Sequence, residues 1–210
     1  MKDDAMSGRW IRTRDRLAWT GVLFLLGAAD AHAHLVNTGF GPFYDGQSHL
    51  LLTPQDIVPV IAMALLAGLS GARFGRTVLL VLPLSWMVGG VAGLQRSAEL
   101  SSPAVTTLFF LVIGGLVAAD RKLPLGLVIG LAAALGLTHG YLNGTAMAEA
   151  QAGVVGLLGI GSVVFVTVAL VAALVVSLRW DWTRIAVRVA GSWIAAMGLL
   201  LLGWTLRGGA

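Results

Sequence analysis

The side chains of this sequence best suited to chemistry are its four histidines: His32, His34, His49 and His139. Imidazole nitrogen is a good ligand for nickel, cobalt, copper and zinc. Because the chain contains no cysteine, thiolates and disulfides are excluded, and a metal site would use nitrogen and oxygen donors. Asp56 is the leading candidate for an oxygen ligand, and Asp45, Asn143 and Glu149 are candidates of second rank.

Long apolar runs must position these residues. The chain has 210 residues, of which 57% are hydrophobic and only 11% are charged. A helix needs about 20 apolar residues to span a bilayer. The apolar runs lack the alternation of polar and apolar residues that is typical of a membrane β-barrel. The sequence therefore predicts an all-α fold, a polytopic transmembrane helix bundle. The apolar runs cover 17–33, 54–71, 77–95, 104–119, 123–142, 153–177 and 183–206.

The basic residues predict the orientation of this bundle. If the runs alternate in direction, Arg96 and Arg207 fall on one side, and the other twelve of the 14 lysines and arginines fall opposite. Lysine and arginine are enriched on the cytoplasmic side of membrane proteins. The pattern predicts a multi-pass protein of the bacterial inner membrane with a cytoplasmic N-terminal arm. All four histidines then lie on the periplasmic side, and the net charge of +4 requires no nucleic acid partner.

The first apolar run is typical of a signal peptide. Basic residues end at Arg16, a short apolar core follows, and Ala31-His32-Ala33 resembles a cleavage site. We predict a signal peptide over 1–33 and a mature domain over 34–210 with six helices and both termini in the periplasm. An uncleaved first helix is the alternative. Cleavage would place the amine and imidazole of His34 at the mature terminus, as a chelating pair.

The segment 34–53 is predicted to be an ordered outer loop. It is rich in glycine and contains Phe40, Phe43 and Tyr44, aromatic residues suited to the membrane interface. Thr53 and Pro54 then suit the start of a helix, where Asp56 would be placed to cap the helix, to bind metal, or to do both. Sets of glycines in the later runs predict close helix packing, for example Gly89, Gly93, Gly126 and Gly130.

A second set of polar residues lies at the end of the fifth apolar run. His139 and Asn143 are four residues apart and share one face if the helix continues, and His139 would lie about one turn inside the outer boundary. Glu149 follows in what reads as an outer loop.

The two polar groups resemble motifs of the HupE/UreJ family of small membrane proteins. The stretch from His49 to Ile57 is similar to the family's first motif, and His139-Gly140 to its second. Ile57 stands where the family has a second histidine, so the chain resembles a divergent branch, and we expect His34 to supply the missing nitrogen. The resemblance implies a nickel or cobalt permease with His49, Asp56 and His139 as ligands. It also implies metalloenzyme maturation proteins as partners.

Two other functions are alternatives to the permease. Gly68-Leu69-Ser70-Gly71 is similar to the serine motif of rhomboid proteases, but Ser70 and His139 fall at opposite helix ends, roughly 20 Å apart. We therefore expect no enzymatic activity. The remaining alternative is a membrane subunit that binds metal without transporting it, copper included, or that serves as a scaffold in a larger assembly. A homo-oligomer is compatible with either function.

Overall fold

The computed structural model of the protein describes residues 38–95 and 103–208. The chain divides into two units, 1–34 and 35–210, and all the described residues belong to the second. The predicted signal peptide, His32 and His34 lie outside the described residues.

Every regular element in the described ranges is an α-helix. The seven helices are α1 (Pro42–Leu52), α2 (Pro54–Ser70), α3 (Ala72–Gly93), α4 (Pro103–Ala119), α5 (Leu125–Glu149), α6 (Gly153–Ser177) and α7 (Asp181–Gly208). The predicted all-α class is thus confirmed for this part of the chain. The six apolar runs from 54 onward each correspond to one helix, from α2 to α7.

Several of these helices are suited to cross a membrane. Helices α3, α5, α6 and α7 are long and apolar enough, and α1 and α2 meet the same criterion when taken together. Helix α4 is a shorter apolar helix. Many large apolar side chains along α3 to α7 point outward, among them Leu84, Leu170 and Leu200. The described helices therefore indicate a multi-pass helical membrane protein, with four candidate spans, or five if the bent pair forms one.

The bend between α1 and α2 departs from the predicted outer loop. Most of the segment 34–53 is helical, because Pro42 begins α1 at a position where its missing N–H costs nothing. Thr53 interrupts the helix in an extended conformation, and the axes of α1 and α2 differ by 76°. The bend brings the last turn of α1 next to the first turn of α2.

Glycines allow the helix backbones to approach closely. Along the α3–α5 pair, Gly89 faces the carbonyl oxygen of Leu137, Gly140 that of Trp86, and Gly144 that of Gly90. Helices α4 and α7 form a second such pair, and α6 packs against α1, α2 and α3. The predicted role of the glycines in packing is confirmed for Gly89. Gly126 and Gly130 instead face open space.

Candidate functional site

His139 lies at the centre of a buried polar group. It is fully buried in α5, and its Nδ1 lies 2.7 Å from Oδ1 of Asp56, which is in the first turn of α2. Asp56 itself is only 7% exposed. Removing a carboxylate from water is costly unless a partner compensates its charge or fills its lone pairs. The His139 ring is one such partner.

Asn143 is the other partner of the Asp56 carboxylate. Its Nδ2 donates to Asp56 Oδ2 at 3.0 Å and to the backbone oxygen of His139 at 2.9 Å. The predicted common face of His139 and Asn143 is therefore confirmed. Because two acceptors face the same amide nitrogen, the hydrogen bonds fix which end of the amide is nitrogen. The Asn143 oxygen consequently points away from the carboxylate.

Two aromatic rings enclose the imidazole. The Trp86 ring from α3 lies 5.7 Å from the His139 ring at an interplanar angle of 35°, and Phe109 from α4 lies at 5.4 Å edge-on. The Trp86 position depends on the close α3–α5 approach, since the Trp86 carbonyl sits against Gly140. Side chains from four helices, α2 to α5, thus converge on one imidazole in an environment of low dielectric constant.

Polar atoms at this imidazole remain without partners. Among the described residues, the buried side-chain atoms without a hydrogen-bond partner include His139 Nε2, Asn143 Oδ1 and Trp86 Nε1, and the fourth is the Tyr141 hydroxyl, two residues further along α5. Buried polar groups are normally paired, so the first three favour a site for a ligand or water beside His139. In the tautomer in which Nδ1–H donates to Asp56, the free lone pair of the imidazole lies on Nε2. That atom is available to bind a cation.

The structure places His49 beside this group. His49 is in the last turn of α1, 7% exposed, and near enough to Asp56 for the two side chains to interact electrostatically. Its backbone oxygen accepts a hydrogen bond from the Thr53 hydroxyl at 2.7 Å. The bend between α1 and α2 therefore brings His49 and Asp56 to the same side of the bundle.

The second-rank candidates Asp45 and Glu149 are arranged differently. The Asp45 carboxylate accepts hydrogen bonds from the backbone and hydroxyl of Thr38. Glu149 is not in a loop; it is the exposed last residue of α5, about ten residues or roughly 15 Å beyond His139. His139 is therefore about three turns from the end of α5. Within residues 38–95 and 103–208, no group of three or more histidines and carboxylates is arranged to hold a metal ion.

The predicted cap at Thr53 is only partly present. Thr53 and Pro54 begin α2 as expected, but no side chain caps this helix. The Thr53 hydroxyl donates backward to His49, and the Asp56 carboxylate turns to α5. The cross-helix role of Asp56 thus takes precedence over the local one.

The sequence did not predict the two rings that enclose His139, Trp86 and Phe109. Trp86 carried a signal, because tryptophan in membrane helices usually lies at the interface, and Trp86 falls well inside its apolar run. Phe109 carried none, since an aromatic residue in an apolar run is an ordinary core residue.

Comparison with known proteins gives one positive result. The sequence model of one family, described as HupE / UreJ protein, matches residues 22–201. No curated protein and no solved structure matches the chain. The family match covers most of the chain, including both helices that contribute the His139–Asp56 pair. This protein is therefore a member of the HupE/UreJ family, which is generally associated with nickel and cobalt transport.

Proposed function

We propose that this protein binds a divalent transition metal, nickel or cobalt, at the periplasmic mouth of a six-span bundle in the bacterial inner membrane, and lets it permeate. The observation that carries the proposal is the unpartnered Nε2 of His139, buried while Nδ1 is fixed by Asp56. Membership of the HupE/UreJ family supports the choice of metal.

The His139–Asp56 pair has the chemistry of a metal-binding histidine. Such histidines almost always donate their second ring N–H to a carboxylate or carbonyl, which fixes the tautomer and makes the ligand nitrogen more basic. Asp56 fills that role at Nδ1, and Asn143 holds the carboxylate in turn. In this arrangement His139 binds the metal directly and Asp56 orients it, with its remaining lone pairs open to the ion.

Further ligands would come from α1, from α5 and from the segment that precedes α1. His49 is buried next to Asp56, and the Asn143 oxygen has no hydrogen-bond partner. His34, at the mature terminus after signal removal, would add an imidazole and an amine. Nitrogen and oxygen donors of this kind suit nickel, cobalt and copper.

The binding test uses a variant that separates the two ring nitrogens. His139→Asn keeps a donor near the Nδ1 position for Asp56 but has no atom in place of Nε2. We expect the purified variant to remain folded and to lose nickel and cobalt binding in calorimetric titrations. Asp181→Asn removes a carboxylate from the far end of the bundle and should bind like wild type. Unchanged binding by His139→Asn would refute the proposed ligand.

A second variant tests the orienting role of Asp56. Asp56→Asn keeps the size of the side chain but replaces the carboxylate with an amide, which accepts a weaker hydrogen bond from Nδ1 of His139. Loss of such a partner typically lowers metal affinity about 10- to 100-fold. We expect a loss in this range by the same titration. A loss as complete as that of His139→Asn would instead make Asp56 a direct ligand.

A binding protein that does not transport is the second candidate function. Apart from His49, Asp56, His139 and Asn143, the buried polar side chains of the described residues are those of Thr107, Thr145 and Thr183, none of which is ionisable. An ion would find no ionisable relay among them. Uptake of nickel or cobalt into proteoliposomes distinguishes the two functions: uptake above protein-free vesicles, lost in His139→Asn, supports permeation. Tight binding without uptake supports the second candidate.

A further inference from the structure

The end of the bundle opposite His139 contains a cavity with cationic walls. Its volume is about 400 Å³, and its walls come from the ends of α2, α3 and α7 and from the connection between α4 and α5. Arg121, Lys122 and Arg184 line it together with one carboxylate, Asp120. The cavity therefore has an excess of positive charge.

The turn at Asp120 forms part of the cationic wall of the cavity. Asp120 ends α4 with a positive φ of 50°, a left-handed conformation that terminates a helix. Its carboxylate accepts two hydrogen bonds from Arg184, at 2.6 and 2.7 Å. Arg184 is thus compensated in charge and fixed in position. Among the described residues no ion pair involves Arg121 or Lys122, so their charges are available to a ligand.

The rest of the cavity is apolar and adjoins the membrane boundary. Leu69, Phe74 and Leu123 form part of its lining. A second cavity of about 290 Å³ shares Leu69 and Arg184 with it and extends to Trp180. Trp180 is exposed, as expected for an aromatic residue at the level of lipid headgroups.

We propose that this cavity binds the phosphate-bearing headgroup of an anionic phospholipid, with Arg121 and Lys122 as the residues that contact the phosphate. Arg121 and Lys122 favour an anionic ligand, because both are exposed and no ion pair among the described residues involves either of them. The apolar lining and the neighbouring tryptophan favour a lipid over a free ion, since glycerol and acyl carbons can cover leucine and phenylalanine. The proposal does not depend on metal binding at the other end.

The test compares two double variants in lipid nanodiscs. Arg121→Gln with Lys122→Gln removes two charges from the cavity. The control, Arg73→Gln with Arg76→Gln, removes two neighbouring charges at the same end of the bundle that do not line this cavity. Binding of phosphatidylglycerol, with phosphatidylcholine for comparison, is measured by native mass spectrometry, and circular dichroism confirms that each variant is folded.

We expect wild type to retain phosphatidylglycerol in preference to phosphatidylcholine. Each basic residue contributes about 1 kcal/mol, so the double variant of Arg121 and Lys122 should bind phosphatidylglycerol roughly 30-fold more weakly than wild type. The control pair should stay close to wild type. An equal loss in both double variants, or no preference for the anionic lipid, would overturn the proposal. Binding of inorganic phosphate as tight as that of phosphatidylglycerol would also overturn it, because the apolar lining would then contribute nothing and the site would belong to the free ion.

Discussion

The two ends of the bundle each contain a carboxylate paired with a cationic or imidazole side chain, in opposite environments. At one end, His139 and Asp56 lie 2.7 Å apart with side chains that are 0% and 10% exposed. At the other, Arg184 and Asp120 lie 2.6 Å apart, and their side chains are 52% and 17% exposed. The distances are almost equal, so the difference between the pairs lies in burial.

Burial changes what each pair does for the protein. An exposed pair is screened by water and contributes about 0–1 kcal/mol to stability. A buried pair costs desolvation energy when it forms, but loss of one partner leaves the other buried without its hydrogen bond, at up to about 3–5 kcal/mol when that group is charged. We therefore expect the His139 end to depend strongly on its polar contacts, and the Arg184 end to depend little on the Arg184–Asp120 pair.

The largest effect is expected from His139→Ala. It leaves the Asp56 carboxylate buried with Asn143 as its remaining hydrogen-bond partner, and should lower the free energy of unfolding by about 3–5 kcal/mol. The measurement is reversible unfolding in mixed micelles with increasing SDS.

The matched control for this effect is a double variant. Asp56→Asn should destabilise the wild type but stabilise the His139→Ala protein, because it removes the uncompensated charge. If Asp56→Asn destabilises both backgrounds equally, the buried carboxylate is not the source of the cost.

An intermediate effect is expected from Gly140→Ala. The added methyl group would meet the Trp86 backbone, so α3 and α5 must separate and Trp86 must move away from His139. Overpacking of this kind costs about 1–3 kcal/mol, measured by the same unfolding experiment. Gly130→Ala adds the same methyl group where nothing lies within 4 Å, and should be neutral or stabilising. Equal stability of the two variants would contradict the importance of the α3–α5 contact.

The smallest effect is expected from Arg184→Gln. The guanidinium loses both hydrogen bonds to Asp120, yet both groups remain accessible to water, so stability should fall by less than about 1 kcal/mol. Asp120→Asn is the reciprocal variant and should match it. A loss of stability as large as that of His139→Ala would contradict this expectation, because the exposed pair would then contribute as much to the free energy of unfolding as the buried one.

Most of the fold was predictable because the bilayer imposes it. Each apolar run from 54 onward became a helix, since backbone groups in lipid must satisfy their hydrogen bonds internally. The helix over Pro42–Leu52 was not predicted. Glycines and Pro42 favour turns, but a proline at the first helical position also favours helix, and local sequence does not distinguish these outcomes.

The candidate site was predictable in part. The spacing of His139 and Asn143 predicted their common face, and the helix start predicted the position of Asp56. The enclosure by Trp86 and Phe109 was not predictable, because it depends on how closely α3 and α4 approach α5. The buried atoms without hydrogen-bond partners were also not predictable, because the packing of the helices determines which polar atoms find a partner.

The sequence by itself determined the membrane class, the positions of the spanning segments and the unequal distribution of charge between the two ends, because these follow from local composition. Only the tertiary structure decided that Asp56 turns from its own helix to His139, 83 residues away along the chain. The physical reason is that a carboxylate buried between packed helices must be compensated by whatever partner the packing brings within hydrogen-bond distance. Periodicity places a residue on a face, but the neighbour across that face is chosen by close helix contact.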